Sequence, residues 1–149
     1  MGTGLFCHTL SCKMGFAVKG ILRNLRQRFE EEDLKLTVEQ YFILNILDNK
    51  DGLILQELAD IVERDKSAVL RLINGLEENH FVARNTDPDD KRRKILLVTK
   101  YGMEELEKAV TLDKEVNNTV TDDICQQKID KLEKTVEHIY RIAIENSNC

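Results

Sequence analysis

The stretch from Asp65 to Gly102 constrains the fold more than any other part of this chain. Asp65 offers a side-chain acceptor suited to a helix N-cap. From Lys66 to about Asn79, the residues Ala68, Val69, Leu72, Ile73 and Leu76 share one side of a helical wheel. Ser67, Arg71, Asn74 and Glu78 take the opposite side, with Lys66 and Leu70 on one flank. Two runs follow, Phe81-Val82-Ala83-Arg84 and Lys94-Ile95-Leu96-Leu97-Val98, rich in the branched and aromatic residues that favour strands. Asp87-Pro88 forbids helix between them, because proline has no N–H to donate and its ring clashes with a preceding helical turn. The segment predicts a helix and then a hairpin. Its tip, Asp87-Pro88-Asp89-Asp90-Lys91-Arg92-Arg93-Lys94, concentrates four cations.

Elsewhere the pattern is helical. Met14, Val18, Ile21, Leu22, Leu25 and Phe29 recur at three- and four-residue spacing, which predicts an amphipathic helix from about Met14 to Phe29. Thr37-Val38-Glu39-Gln40 has the form of a capping box and opens a second helix to about Leu47. Asp51-Gly52 turns the chain, and Leu53-Ile54 is long enough for one short strand. A third helix is expected on Leu55, Leu58, Ala59, Ile61 and Val62. Thr99 caps a fifth helix to about Val116. Thr119 or Thr121 begins a sixth, with a stripe of Cys125, Ile129, Leu132, Val136, Ile139 and Ala143.

This order predicts a mainly α fold with a small β-hairpin wing: a winged helix-turn-helix flanked by N- and C-terminal dimerisation helices. Residues 1–36 supply the N-terminal dimerisation helix, 37–99 the winged-helix lobe and 100–149 the C-terminal dimerisation helices. The lobe can close its own core. The apolar stripes of the first, fifth and sixth helices need a further surface, and a symmetric second copy supplies one.

A net charge of −5 argues at first against nucleic acid, but its distribution reverses that impression. From Arg64 to Lys100, nine Lys/Arg stand against six Asp/Glu, a local +3 that leaves −8 for the rest. Local sign matters more than the total, because physiological salt screens charges over roughly 8 Å. A helix followed by a basic hairpin suits double-stranded DNA, the helix entering the major groove and the hairpin reaching the flanking minor groove. Arg71 is suited to a guanine edge, Asn74 to adenine and Leu70 to a thymine methyl. Lys66 and Ser67, near the helix N-terminus, suit phosphate oxygens. Arg84 on the first strand and Lys91, Arg92, Arg93 and Lys94 at the tip complete the candidate DNA contacts. Asp90 is expected to support the wing by holding a guanidinium.

Other function classes lose ground. No run of about 18 apolar residues exists to span a membrane, and the first twenty residues are too interrupted for a secretory core, so a cytoplasmic location with reduced thiols is expected. Cys7, Cys12, Cys125 and Cys149 lack metal-ligand spacing, and His8, His80 and His138 are scattered. No metal, cofactor or catalytic residue is therefore expected. Cys125, on the apolar stripe, reads as an inert core thiol. The rival reading is a winged helix that binds protein without DNA.

Leu58-Ala59, Val69-Leu70-Arg71-Leu72-Ile73 with Leu76-Glu77, and Phe81-Val82-Ala83-Arg84 resemble the helix-turn-helix of the MarR regulators (multiple antibiotic resistance repressors). Asp90-Lys91-Arg92-Arg93-Lys94-Ile95-Leu96-Leu97-Val98-Thr99-Lys100-Tyr101-Gly102 is similar to that family's wing motif, an Asp-x-Arg and a strand ending in Leu/Val-Thr-x-x-Gly. The resemblance runs from about Met14 to Ala143. It implies a homodimeric bacterial transcription regulator, with repression the expected mode, in which two lobes read a palindrome, Arg92 reaches the minor groove and Asp90 supports it. It also implies a small-molecule effector as a candidate partner, and a redox-sensing variant using Cys12 as an alternative, since one branch carries a reactive cysteine in its first helix. The chain departs from the pattern at His80, where glycine is usual, at Gly75 within the recognition helix, and at Leu55, where a hydroxyl cap is common.

Overall fold

A computed structural model describes residues 8–147. Among these, the order is α1 (Leu10–Glu31), α2 (Val38–Asn49), α3 (Leu55–Ile61), α4 (Lys66–Glu78), β1 (Val82–Thr86), β2 (Lys94–Val98), α5 (Lys100–Thr121) and α6 (Gln126–Ser147). The chain divides into two compact units, Met1–Val116 and Asn117–Cys149. The predicted mainly α fold with a hairpin wing is the observed one.

The capping box at α2 forms as its residues dictate: the Gln40 amide N–H donates to the Thr37 hydroxyl at 3.1 Å, and the Thr37 N–H to the Gln40 side-chain oxygen at 3.0 Å. Asp65 caps α4 by accepting from the Ala68 N–H at 2.9 Å. At α3 the N-cap is Ile54, not Leu55, and the cap runs in reverse, the Glu57 carboxylate accepting from the Ile54 N–H at 3.0 Å. This explains why no hydroxyl is needed there.

Three helices end in the same way without glycine. After α1, α3 and α4, Asp33, Glu63 and His80 adopt left-handed backbone with φ of 49°, 51° and 61°. Each lets the next N–H reach back across the last turn: Leu34 to Phe29 at 2.9 Å, Arg64 to Ala59 at 3.2 Å and Phe81 to Leu76 at 2.8 Å. These are Schellman closures. His80 thus takes the strained role that its position in the motif demands.

The strands pair antiparallel from Val82↔Val98 to Thr86↔Lys94. The expected third strand is reduced to an isolated bridge, Ile54↔Ile95, backed by the Leu96 N–H donating to the Leu53 carbonyl at 2.8 Å. The hairpin is thereby stitched to the segment ahead of α3. One core runs through the first unit, including Leu25 and Phe29 of α1, Leu44 of α2, Leu58 of α3, Val69, Ile73 and Leu76 of α4, Phe81, Leu96, and Leu106 and Ala109 of α5. One glycine is required by close approach to backbone. A Cβ on Gly102 would collide with the Phe81 carbonyl, and one on Gly75 would stand 2.8 Å from the Gln40 side-chain nitrogen. At Gly75 the neighbour is the end of a flexible side chain that can move aside, so the propensity glycine costs within α4 has no backbone crossing to offset it.

Glu105 is the buried charged residue of this core, 3% exposed. Its carboxylate accepts from the Lys35 N–H at 3.1 Å and from the Lys108 ammonium at 2.7 Å. Tyr41 donates to the Asp113 carboxylate at 2.8 Å, and burial followed by that hydrogen bond raises the phenol above its ordinary pKa. Arg28 of α1 meets Glu115 of α5 at 2.9 Å.

The second unit holds the end of α5 and all of α6. Neither Thr119 nor Thr121 starts α6. Both belong to α5, of which Thr121 is the last residue, and the Thr121 hydroxyl donates back to the Asn117 carbonyl at 2.7 Å rather than capping a following helix. α6 begins at Gln126 and buries no residue, with Leu132 at 54% and Tyr140 at 62% exposure. Cys125 precedes the helix and is free and exposed, so it is not a core thiol. Cys12 is disulfide-bonded, against the expectation of reduced thiols. Cys7 and Cys149 lie outside the described residues.

Candidate nucleic-acid interface

The apolar side of α4 enters the core and fixes what its other side presents. Val69, Ile73 and Leu76 are buried, so Lys66, Ser67, Arg71 and Asn74 face outward and are exposed, with Leu70 half-buried at the margin. The side chains of Lys66, Ser67 and Arg71 have no hydrogen-bond or ion-pair partner among the described residues. An arginine and a lysine held in water with no carboxylate to neutralise them are suited to phosphate or base edges.

Asn74 is different. Its side-chain oxygen accepts from Arg84 at 2.9 Å, and the same guanidinium nitrogen pairs with Glu77 at 2.9 Å. Arg84, a candidate contact by sequence, is thus a strut from β1 to the outer face of α4. It orients the Asn74 amide so that its NH2 group, the donor half, points away from the strut.

At the wing, the tip is shaped by short polar bonds. The Asp89 N–H donates to the Asp87 carboxylate at 2.9 Å, and the Arg92 N–H to the Asp90 carboxylate at 2.9 Å. Asp90 therefore supports the wing through backbone rather than by holding a guanidinium, because its carboxylate closes the turn that carries Arg92. The side chains of Lys91 and Arg92 are exposed and have no partner among the described residues. Lys94 donates to the Thr86 hydroxyl at 2.6 Å across the strand pair. Arg93 turns inward, 3.1 Å from Glu57 and 3.7 Å from Asp87. Glu57, Glu77 and Asp87 are not among the candidate site residues of the sequence. The pairing of Arg93 with Glu57 spans 36 positions and leaves no local signature.

The arrangement is a helix-turn-helix (α3 and α4) with a hairpin wing, preceded by α1 and α2 and followed by α5 and α6. The MarR family model matches residues 36–94, from the start of α2 to the beginning of β2. The winged-helix lobe of this chain thus matches the MarR family.

Sequence and structural comparisons point the same way. It is 35% identical over 66 residues to a transcriptional regulatory protein for the hcr operon of Thauera aromatica, a match covering 44% of this chain and 40% of that protein. The chain thus spans less than half the length of that relative. In three dimensions it is similar to the repressor CouR bound to a 23-mer DNA duplex, with a TM-score of 0.81, 20% identity, and coverage of 94% of this chain and 98% of that one. CouR from Rhodococcus jostii RHA1 bound to p-coumaroyl-CoA matches with a TM-score of 0.75, 20% identity and coverage of 87% and 90%. Apo MarR from E. coli matches with a TM-score of 0.76, 19% identity and coverage of 89% and 98%. At these identities the structures speak for the fold. Among the described residues, no helix is long and apolar enough to cross a membrane, and no group of three or more His, Cys, Asp or Glu is arranged to hold a metal ion.

Proposed function

We propose that this protein is a homodimeric, sequence-specific DNA-binding transcriptional regulator, acting as a repressor on a palindromic operator. The observation that carries the reading is the pairing pattern of the cations. Arg71 on α4 and Arg92 on the wing are exposed without a carboxylate partner among the described residues, whereas Arg84 and Arg93 are both neutralised by acids. α4 supplies base contacts through Arg71, Asn74 and Leu70, and phosphate contacts through Lys66 and Ser67. Arg92 enters the minor groove, whose concentrated negative potential favours a guanidinium, and Lys91 and Lys94 add charge to the flanking phosphates.

Two copies would hold their α4 helices about 34–36 Å apart, one turn of DNA. Support for the dimer comes from α6, whose apolar Leu132, Val136 and Tyr140 are exposed on one chain. In this reading a small-molecule effector acts by favouring another lobe spacing, a population shift that needs no contact with DNA. A cleft of about 150 Å³ between α1 and α2, lined by Arg26, Phe29, Leu34, Leu36 and Val38, is a candidate seat.

The test is binding to DNA from the protein's own upstream region and to a randomised pool, titrated against salt. The expected result is tight binding whose affinity falls steeply with salt, and a loss in Arg92→Ala with the salt slope flattened by about one charge. A folded dimer that binds neither DNA points instead to a winged helix recognising a protein.

A further inference from the structure

Arg93 is tied into the wing at three levels. Its carbonyl accepts from the Asp87 N–H at 3.0 Å, and its own N–H donates to the Asp90 carbonyl at 2.9 Å, so its backbone closes both halves of the tip. Its side chain leaves the hairpin. One terminal nitrogen donates to Glu57 at 3.1 Å, while Nε is buried without a hydrogen-bond partner and lies 3.7 Å from the Asp87 carboxylate. Glu57 is itself fixed, because its other oxygen caps α3 through the Ile54 N–H at 3.0 Å. Ile54 in turn bridges Ile95, two residues beyond Arg93. A closed loop of bonds therefore runs from the first turn of α3 through Glu57 and Arg93 into the wing, and back through β2 to Ile54.

We propose that Arg93 is a positioning residue for the wing, locking the hairpin against α3 so that Arg92 is presented to DNA in a preset pose, and that it is not itself a DNA contact. The proposal rests on the DNA-binding reading for its consequence, though not for its geometry. Three carboxylates (Asp87, Asp89 and Asp90) share the tip with Lys91 and Arg92, and beyond the Thr86↔Lys94 pair the bonds that hold them are those of the turn itself. These bonds shape the tip internally, but a charged, solvated tip without a tie to the lobe is free to swing as a unit. Anchoring it in the free protein removes an ordering cost that binding would otherwise meet. Neutralisation by Glu57 and Asp87 also takes Arg93 out of the competition for phosphate, leaving Arg92 as the arginine available for the groove.

The two roles of Arg93 make opposite predictions for Glu57→Gln. Glutamine keeps an oxygen for the Ile54 N–H but removes the charge that holds the guanidinium. A contact role predicts equal or tighter DNA binding, because Arg93 is released and the protein gains positive charge. The positioning role predicts weaker binding, by about tenfold, and the same loss in Arg93→Gln. In an Arg92→Ala background, Arg93→Gln should then cost little more, since the wing has nothing left to present.

The experiment pairs full-length protein on a duplex selected by the wild type from a randomised pool with backbone amide exchange of the free protein. Faster exchange at 87–93 in Arg93→Gln and Glu57→Gln, with α4 unchanged and DNA binding weakened in both, supports the proposal. Unchanged exchange at 87–93 overturns it whether or not the wild type binds DNA. Faster exchange with undiminished affinity, in a wild type that does bind, overturns the link to DNA. A wild type that selects no duplex defeats the DNA reading alone, and the exchange result then decides the lock. Thermal unfolding of each variant separates loss of the wing pose from loss of fold.

Discussion

The hydroxyl of Thr99 donates to the carbonyl of His80 at 2.6 Å and accepts from the N–H of Gly102 at 2.9 Å. One side chain thus caps α5 and secures the left-handed residue that ends α4. The Thr99 N–H adds a bond to the Phe81 carbonyl at 3.0 Å, the same carbonyl that leaves no room for a Cβ at Gly102. This is why threonine and glycine stand three apart at the end of the wing strand: the start of α5 must lie directly on the exit of α4. Thr99→Val keeps the shape and the backbone bond but removes the hydroxyl. It should cost about 1–2 kcal/mol in urea unfolding, from a lost cap and an unpaired carbonyl. An unchanged midpoint and slope would show that water replaces both bonds.

Glu63 adopts φ of 51° at the end of α3, where its side chain makes no hydrogen bond or ion pair among the described residues. Glycine adopts that backbone without a Cβ penalty. Glu63→Gly should therefore stabilise the protein by about 1 kcal/mol, after the extra freedom glycine gives the unfolded chain is set against the strain. A lower melting temperature in calorimetry would mean that the strain is smaller than the entropy.

Tyr41 gives the stability an alkaline limb. Burial, then the hydrogen bond and charge of Asp113, raise its folded pKa above the ordinary value of 10.0. The folded state therefore holds the phenolic proton more tightly than the unfolded chain. That contribution is fully present below about pH 10 and is lost as pH rises above it. Chemical denaturation between pH 8 and about 11 should show this fall, and Tyr41→Phe should flatten it while costing about 0.5–1.5 kcal/mol at neutral pH. An equal fall in both proteins would remove Tyr41 from the cause.

Arg71 and Arg84 differ in what surrounds them, and their losses should differ in kind. Arg71→Ala is expected to relax base preference by about 1–3 kcal/mol at one position of each half-site. Arg84→Ala should instead blur preference at the base that Asn74 is proposed to read, because the amide loses the bond that orients it. Binding across a library of single-base variants separates the two. Uniform losses on every sequence would assign both residues to the phosphate backbone.

The exposed stripe on α6 predicts an oligomer. Leu132→Glu places a charge on an apolar face that is 54% exposed at this position in the single chain. Sedimentation should show a shift from dimer toward monomer at micromolar concentration, with affinity for a palindromic site falling more than affinity for a half-site. A persistent dimer would move the interface away from this face.

Much of the architecture was legible because its signals are local. The Thr37-x-x-Gln40 box, the Asp65 cap and the strand Lys94–Val98 each depend on residues within a few positions, and each formed where the pattern put it. The start of α6 was misplaced because a threonine serves equally as a cap or as a hydroxyl bonded back inside a helix, and only the surrounding backbone decides. Cys125 was assigned to a buried stripe by that same misplacement.

What the sequence alone determined is the order of elements, the core face of α4 and the concentration of cations at Lys91–Lys94, because periodicity, capping and charge are written residue by residue. What only the tertiary structure decided is which of those cations are free. Arg84 and Arg93 looked equivalent to Arg71 and Arg92 as a composition. Folding brought Glu77 to the first, and Glu57 and Asp87 to the second. A charge is available to a partner only when the fold leaves it without one, and contacts made across 36 residues lie beyond any local pattern.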